Sequence, residues 1–268
     1  MKRSLKLTII WALTATFAVA VSRELEPVQT HLLFSFQRQF GGLLSLLSLP
    51  NLKAPKVTGM AIYTDWGILR PDRYEPVGSQ NEREPMVREQ SVNGERVVVV
   101  EGKLKDRQGQ PCGLRYRVVH LLSANELTAE ISLLAERDFQ SMRGFLAAMF
   151  SFSEAPEWFA HTEKGWLFAE TKHDGRVFQS AHNPLNKNKP ILGVANSETG
   201  WALVLTLKEA KPDDIDNVLI HANPKGSGGV FFAWCDGIAT KEMNAGKEWR
   251  ISVKLGFVRL DEFFEAME

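Results

Sequence analysis

The side chains best suited to acid–base and polar-recognition chemistry fall in one span, EWFAHTEKGWLFAETKHDG followed by FQSAHNPLNKNKP, where histidines, carboxylates and aromatic rings crowd together. Functional groups concentrate on loops carried above a rigid sheet. Imidazole titrates near neutral pH and a carboxylate beside it completes an acid–base pair, so His161, His182 and Glu170 are the candidate catalytic groups. Trp158, Phe159, Trp166 and Phe168 have flat apolar faces that suit the C–H face of a pyranose. His161, Glu163, Glu170, His182 and Asn183 have the polar atoms that would bond its hydroxyls. Opening a sugar ring at the anomeric carbon needs a base for the C1 hydroxyl and an acid for the ring oxygen, and this set contains both. The expected substrate-binding residues are Trp158, Trp234, Asn183 and Arg143, and the expected groove, over one sheet, is lined by Trp158, His161, His182 and Trp234. The aromatic residues can equally fill a core, and Trp166 and Phe168, two positions apart on a strand, share one face in either case.

Other chemistries are disfavoured by spacing. Asn223 to Gly229 has the composition of a phosphate loop, but its Lys225 precedes the glycines and a strand follows where a helix is required, so it reads as a hairpin turn. GxGxxG, GxSxG and HExxH are absent. Asp213, Asp214 and Asp216 lack the glycine and terminal glutamate of a calcium loop, and no Cys/His grouping has zinc spacing. No metal or cofactor is expected. His120 and His221 lie in strand-like runs and read as structural imidazoles. A lyase is a further chemistry, with Tyr63, Tyr74 or Tyr116 as base and Arg143 neutralising a uronic acid.

The elements that must position these groups are mostly strands. From Val57 onward apolar residues alternate with polar ones, most cleanly in Glu126 to Leu133 and Ile251 to Phe257. Further strands are predicted at Arg96 to Lys103, Leu114 to Leu121, Gly165 to Glu170, Trp201 to Leu207, Val218 to Ala222 and Val230 to Asp236. Asn93-Gly94, Gln108-Gly109, Asp174-Gly175 and Thr199-Gly200 punctuate them as turns, a pattern that favours antiparallel pairing. Residues 28 to 49 read as a partly helical approach to the domain, and SMRGFLAAMFSF reads as either a short helix or a bulged strand. A single domain is expected over residues 57–268, as a large antiparallel two-sheet β-sandwich with few short helices.

With 268 residues, 20 Gly and 12 Pro, the composition is that of a folded protein. Its 32 basic and 32 acidic groups leave no electrostatic footprint for nucleic acid. Lys2, Arg3 and Lys6 precede an apolar run from Leu7 to Val21, with Ala18 and Ala20 at a small-residue cleavage site. Residues 1–20 therefore read as a signal peptide of a periplasmic or secreted protein, and an uncleaved N-terminus is the one membrane attachment the sequence offers. Cleavage removes three basic groups, so 32 becomes 29 against 32 acidic ones, a net charge of −3. Export would carry Cys112 and Cys235 into an oxidising compartment, where they either pair or remain separate buried thiols.

Over roughly residues 57 to 258 the chain resembles the galactose mutarotase-like β-sandwiches. The resemblance rests on the strand pair GLRYRVVHLLSANELTAEISL, on the tryptophan-bearing strands, and on the closing VFFAWCDGIATKEMNAGKEWRISVKLGF with its Gly246 to Trp249 segment. Sugar epimerases of this type carry an Asn-His motif, which His182-Asn183-Pro184-Leu185-Asn186 does not reproduce. The resemblance thus implies a carbohydrate-facing sandwich, catalytic or not. Two functions follow as expectations: an exported carbohydrate-binding or carbohydrate-active protein, or a noncatalytic envelope scaffold that binds another protein.

Overall fold

The computed structural model describes residues 33–48, 54, 56–64, 77–123, 126–139, 145–153, 157–170, 178–179, 191–210, 217–222, 231–236 and 244–267. Its strands run in chain order as β1 (Leu33–Gln37), β2 (Leu43–Ser48), β3 (Lys56–Thr64), β4 (Val77–Gly78), β5 (Met86–Val92), β6 (Glu95–Lys105), β7 (Pro111–Leu122), β8 (Glu126–Ala135) and β9 (Phe145–Ser153). They continue as β10 (Glu157–Thr162), β11 (Gly165–Glu170), β12 (Phe178–Gln179), β13 (Ile191–Asn196), β14 (Trp201–Ala210), β15 (Asn217–Ala222), β16 (Phe231–Asp236) and β17 (Glu248–Arg259). A short helix, α1 (Leu260–Glu265), follows β17.

Every pairing is antiparallel, as the turn punctuation predicts. One layer runs β11-β10-β13-β14-β17-β8-β7-β6-β5. The other runs β1-β2-β3-β9-β16-β15-β12. The two-residue β4 pairs with β3 on one side and β6 on the other, so it ties one margin of each layer to the other. The result is a mainly β sandwich.

Alternation builds the interior. In β8, Leu127, Ala129, Ile131 and Leu133 are buried while the residues between them face outward, and their partners across the ladder share the same face. Leu255, Val253, Val118 and Val98 extend this inner face through β17, β7 and β6, with the buried His120 on the same face of β7, and Leu44, Val57, Met60 and Ile62 of the second layer join the same core. Over β6, β7, β8 and β17 the outer face of the first layer is wet and carries cross-strand charge pairs such as Arg117 with Glu101 and Lys254 with Glu126.

Two segments settle differently from, or beyond, their sequence pattern. Residues 33–48, expected to be partly helical, form the β1–β2 hairpin. Their apolar run has no decisive period, and β3 offers β2 a partner. The hairpin turn needs Gly41, whose φ of 70° is left-handed and where any Cβ would lie 1.9 Å from Ser79 O. In the segment SMRGFLAAMFSF, where the sequence allows a helix or a bulged strand, the described residues from Phe145 enter the sheet as β9, which is hydrogen-bonded on both sides by β3 and β16. A register shift falls opposite Leu146 and Ala148.

Candidate functional site

β10 carries two of the sequence-predicted site residues, and the pleat sends them to opposite sides. Trp158 and Ala160 face the inter-layer core, beside Val194 and Leu203 on β13 and β14, whereas Phe159 belongs to a separate cluster on the outer side. Trp158 is 1% exposed. It is a core side chain, not a wall of a ligand groove, because three positions separate it from His161 and an odd separation on a strand reverses the face. The expected groove containing both Trp158 and His161 is corrected on that ground.

On the outer side, His161 lies against Trp166 with ring centroids 4.8 Å apart. Phe159 supports the group from beneath, 6.0 Å from Trp166, and α1 closes it with Phe264, 5.2 Å from Phe159 and 5.3 Å from Trp166. Phe159 can lie over β13 because position 193 is glycine; a Cβ there would meet its ring at 2.0 Å. Phe168 stands at the edge of the cluster and is 54% exposed, so the core alternative does not hold for it. The β10–β11 turn is fixed by Thr162, whose Oγ1 donates to Gly165 O at 2.7 Å and accepts from Lys164 N at 3.1 Å. Glu170 ends β11, its backbone opposite Glu157.

The second layer collects a different set of polar residues by register. Met60, Phe150, Ala233 and Ile220 are partners across β3, β9, β16 and β15, and Met60 belongs to the core. The next row, one residue out of step, is Ala61, Met149, Trp234 and Leu219. Alternate positions from that row are occupied by His221 and Asn217 on β15 and by Asp236 on β16. Gln179 on β12 pairs with His221. The backbone therefore places Trp234, His221, Asp236, Asn217 and Gln179 on the outer-face positions of three adjacent strands. Of these, Trp234 alone was expected as a site residue. The signal for the others was present, since Asn217-x-Leu219-x-His221 and Phe232-x-Trp234-x-Asp236 each repeat with the period of a strand. His182, Asn183 and Arg143 lie outside the described residues.

Three titratable groups are set aside by burial. His120 is enclosed in the core with Nδ1 3.2 Å from Val98 O, and desolvation pulls its pKa down to about 4. Cys112 is a free, buried thiol whose pKa burial pushes up to about 11. Tyr116, one of the candidate lyase bases, is also buried, with its hydroxyl donating to Gly41 O at 3.0 Å, and burial raises its pKa.

The layering and strand order are those of a mainly β, two-layer antiparallel sandwich, and its fold resembles that of galactose mutarotase-like proteins. Among solved structures, a galactose mutarotase related enzyme from Lactobacillus acidophilus aligns with a TM-score of 0.54 at 9% identity, over 86% of this chain and 96% of that one. A galactose mutarotase-like protein from Clostridium acetobutylicum aligns at 0.51 and 8% identity, over 87% and 94%. The α-N-acetylgalactosaminidase NagBb from Bifidobacterium bifidum aligns at 0.56 and 10% identity, over 90% of this chain but 38% of the enzyme. No family model matches the sequence, and no curated protein does. At these identities the likeness is one of fold.

Proposed function

We propose that the chain is an exported carbohydrate-binding or carbohydrate-active protein whose glycan groove lies over the outer face of the second layer. The observation that carries the reading is the register that gathers an indole, an imidazole, a carboxylate and two amides, from Trp234, His221, Asp236, Asn217 and Gln179, on three neighbouring strands. Indole and amides suit the apolar face and the hydroxyls of a sugar. Imidazole and carboxylate supply the acid and base that a reaction at the anomeric carbon requires. His182 and Asn183, a few residues beyond Gln179, belong to the same proposal, as does Arg143 just before β9. The solved sandwiches that share the fold include sugar enzymes, one of them recorded with N-acetylgalactosamine, which supports a carbohydrate over other small molecules. Export rests on the basic start and apolar run of residues 1–20.

The test is thermal stability against a panel of hexoses, N-acetylhexosamines and short oligosaccharides, since a ligand that prefers the native state raises Tm. At least one sugar is expected to raise Tm, and Trp234→Ala and His221→Ala are expected to abolish the rise. A flat response across the panel, or a rise that survives both substitutions, overturns the groove.

A further inference from the structure

The outer face of the first layer presents a second aromatic surface, on the opposite side of the sandwich from the proposed groove. Trp166 and Phe168 stand two residues apart on β11, with ring centroids 6.4 Å apart and planes within 32° of parallel. They form a short strip. β11 is hydrogen-bonded on one side to β10, and among the described residues no strand pairs with its other side. The strip is rigid from below: Phe264 packs 5.3 Å from Trp166 and 5.4 Å from Phe168, Phe263 lies 6.1 Å from Trp166, and Phe159 underlies both. Yet Phe168 remains 54% exposed. A large aromatic side chain held in place by other rings and still half in water contributes little to the core, but it offers a ligand a flat surface whose ordering has no further entropic cost.

The rim narrows the chemistry. Exposed Glu163 and Lys164 share the β10–β11 turn and offset each other, while His161 lies against Trp166 at one end of the strip. A polyanion would meet the exposed carboxylates of Asp261 and Glu262 on α1, the helix that packs on the strip through Phe263 and Phe264. The strip is also too packed to be a cage, since its rings touch one another and leave no gap between them for a small cation. Two near-parallel rings in line on a strand suit consecutive units of one neutral chain.

We infer that Trp166 and Phe168 form a stacking platform for a neutral oligosaccharide of hexopyranose units, separate from the groove of the second layer. The platform rests on the carbohydrate reading above, and it would anchor a long glycan to the side of the molecule away from Trp234. Calorimetric titration with cellohexaose, laminarihexaose and maltohexaose tests it, comparing the native chain with Phe168→Ala, Phe168→Trp and Trp234→Ala. Phe168→Ala is expected to weaken one of these hexasaccharides by about 10-fold, the equivalent of losing one stacked ring. Its Tm should be unchanged, and Phe168→Trp should retain affinity. If a hexasaccharide binds and Phe168→Ala binds it equally well, the platform is overturned; loss with Trp234→Ala in that case leaves the groove standing. If none of the three binds the native chain, the platform falls whatever the monosaccharide panel shows.

Discussion

His120 shows what a single buried side chain does to the stability of the whole chain. A carbonyl can only accept, so the contact to Val98 O fixes the proton on Nδ1 and leaves Nε2 with a bare lone pair, which has no partner among the described residues. Phe36 packs edge-on 4.9 Å away, so the surroundings are apolar. The imidazole ordinarily titrates near 6.5, but in the fold its pKa is held at about 4. Between those values the unfolded chain takes up a proton that the native state refuses. The stability contributed is therefore complete above pH 6.5 and lost as pH falls toward 4, on the order of 3 kcal/mol in total. Urea unfolding of the native chain and of His120→Leu, each at pH 7 and pH 4.5, reads this directly: the variant is expected to lose much less stability across the interval. Equal losses would refute the assignment. At this scale the sequence marks residue types well and neighbours poorly. The span around His161 has the richer chemistry, yet the pleat assigns Trp158 and His161 to opposite faces, and the register of β15 against β16 is what sets His221 and Asp236 on the same face as Trp234.

Among the elements, the hairpin of β1 and β2 is held by contacts its own sequence does not announce. Gly41 N donates to Glu82 O at 2.8 Å, Gly41 O accepts from Tyr116, and Arg96 lies 4.2 Å over the ring of Phe34. Gly41→Ala sets a side chain against Ser79 in a left-handed backbone, and a loss of about 2 kcal/mol or more is expected in chemical denaturation, with the hairpin amides losing hydrogen-exchange protection first. A variant as stable as the parent would show that the turn can relax. Strands with one wet face, such as β8 and β17, were legible from alternation. β13 was not, because ILGVA is buried on both faces and has no period to read. The hairpin was obscured for a related reason: its leucines and phenylalanines satisfy a helical pattern as readily as a strand, and only β3 decides between them.

For the whole molecule, the two-layer body was legible, since closely spaced turns and alternating runs leave few other ways to bury one face of so many strands. The Cys112–Cys235 alternative was not decidable from spacing; the structure leaves Cys112 free and 5% exposed. Exposure to dithiothreitol is accordingly expected to leave Tm unchanged. A drop of several degrees would mean a bridge, whose loop would otherwise add about 4 to 5 kcal/mol. Among the described residues, the staple between the layers is the pair of residues in β4, Val77 and Gly78, bonded to Tyr63 and Thr64 on one side and to Lys105 on the other. The sandwich is thus bound like a book along one spine, with its fore-edge at β11 and β12. Any gaping of the covers should widen toward that fore-edge, so the boards that carry the two proposed sugar surfaces are those freest to swing while the sewn side stays shut.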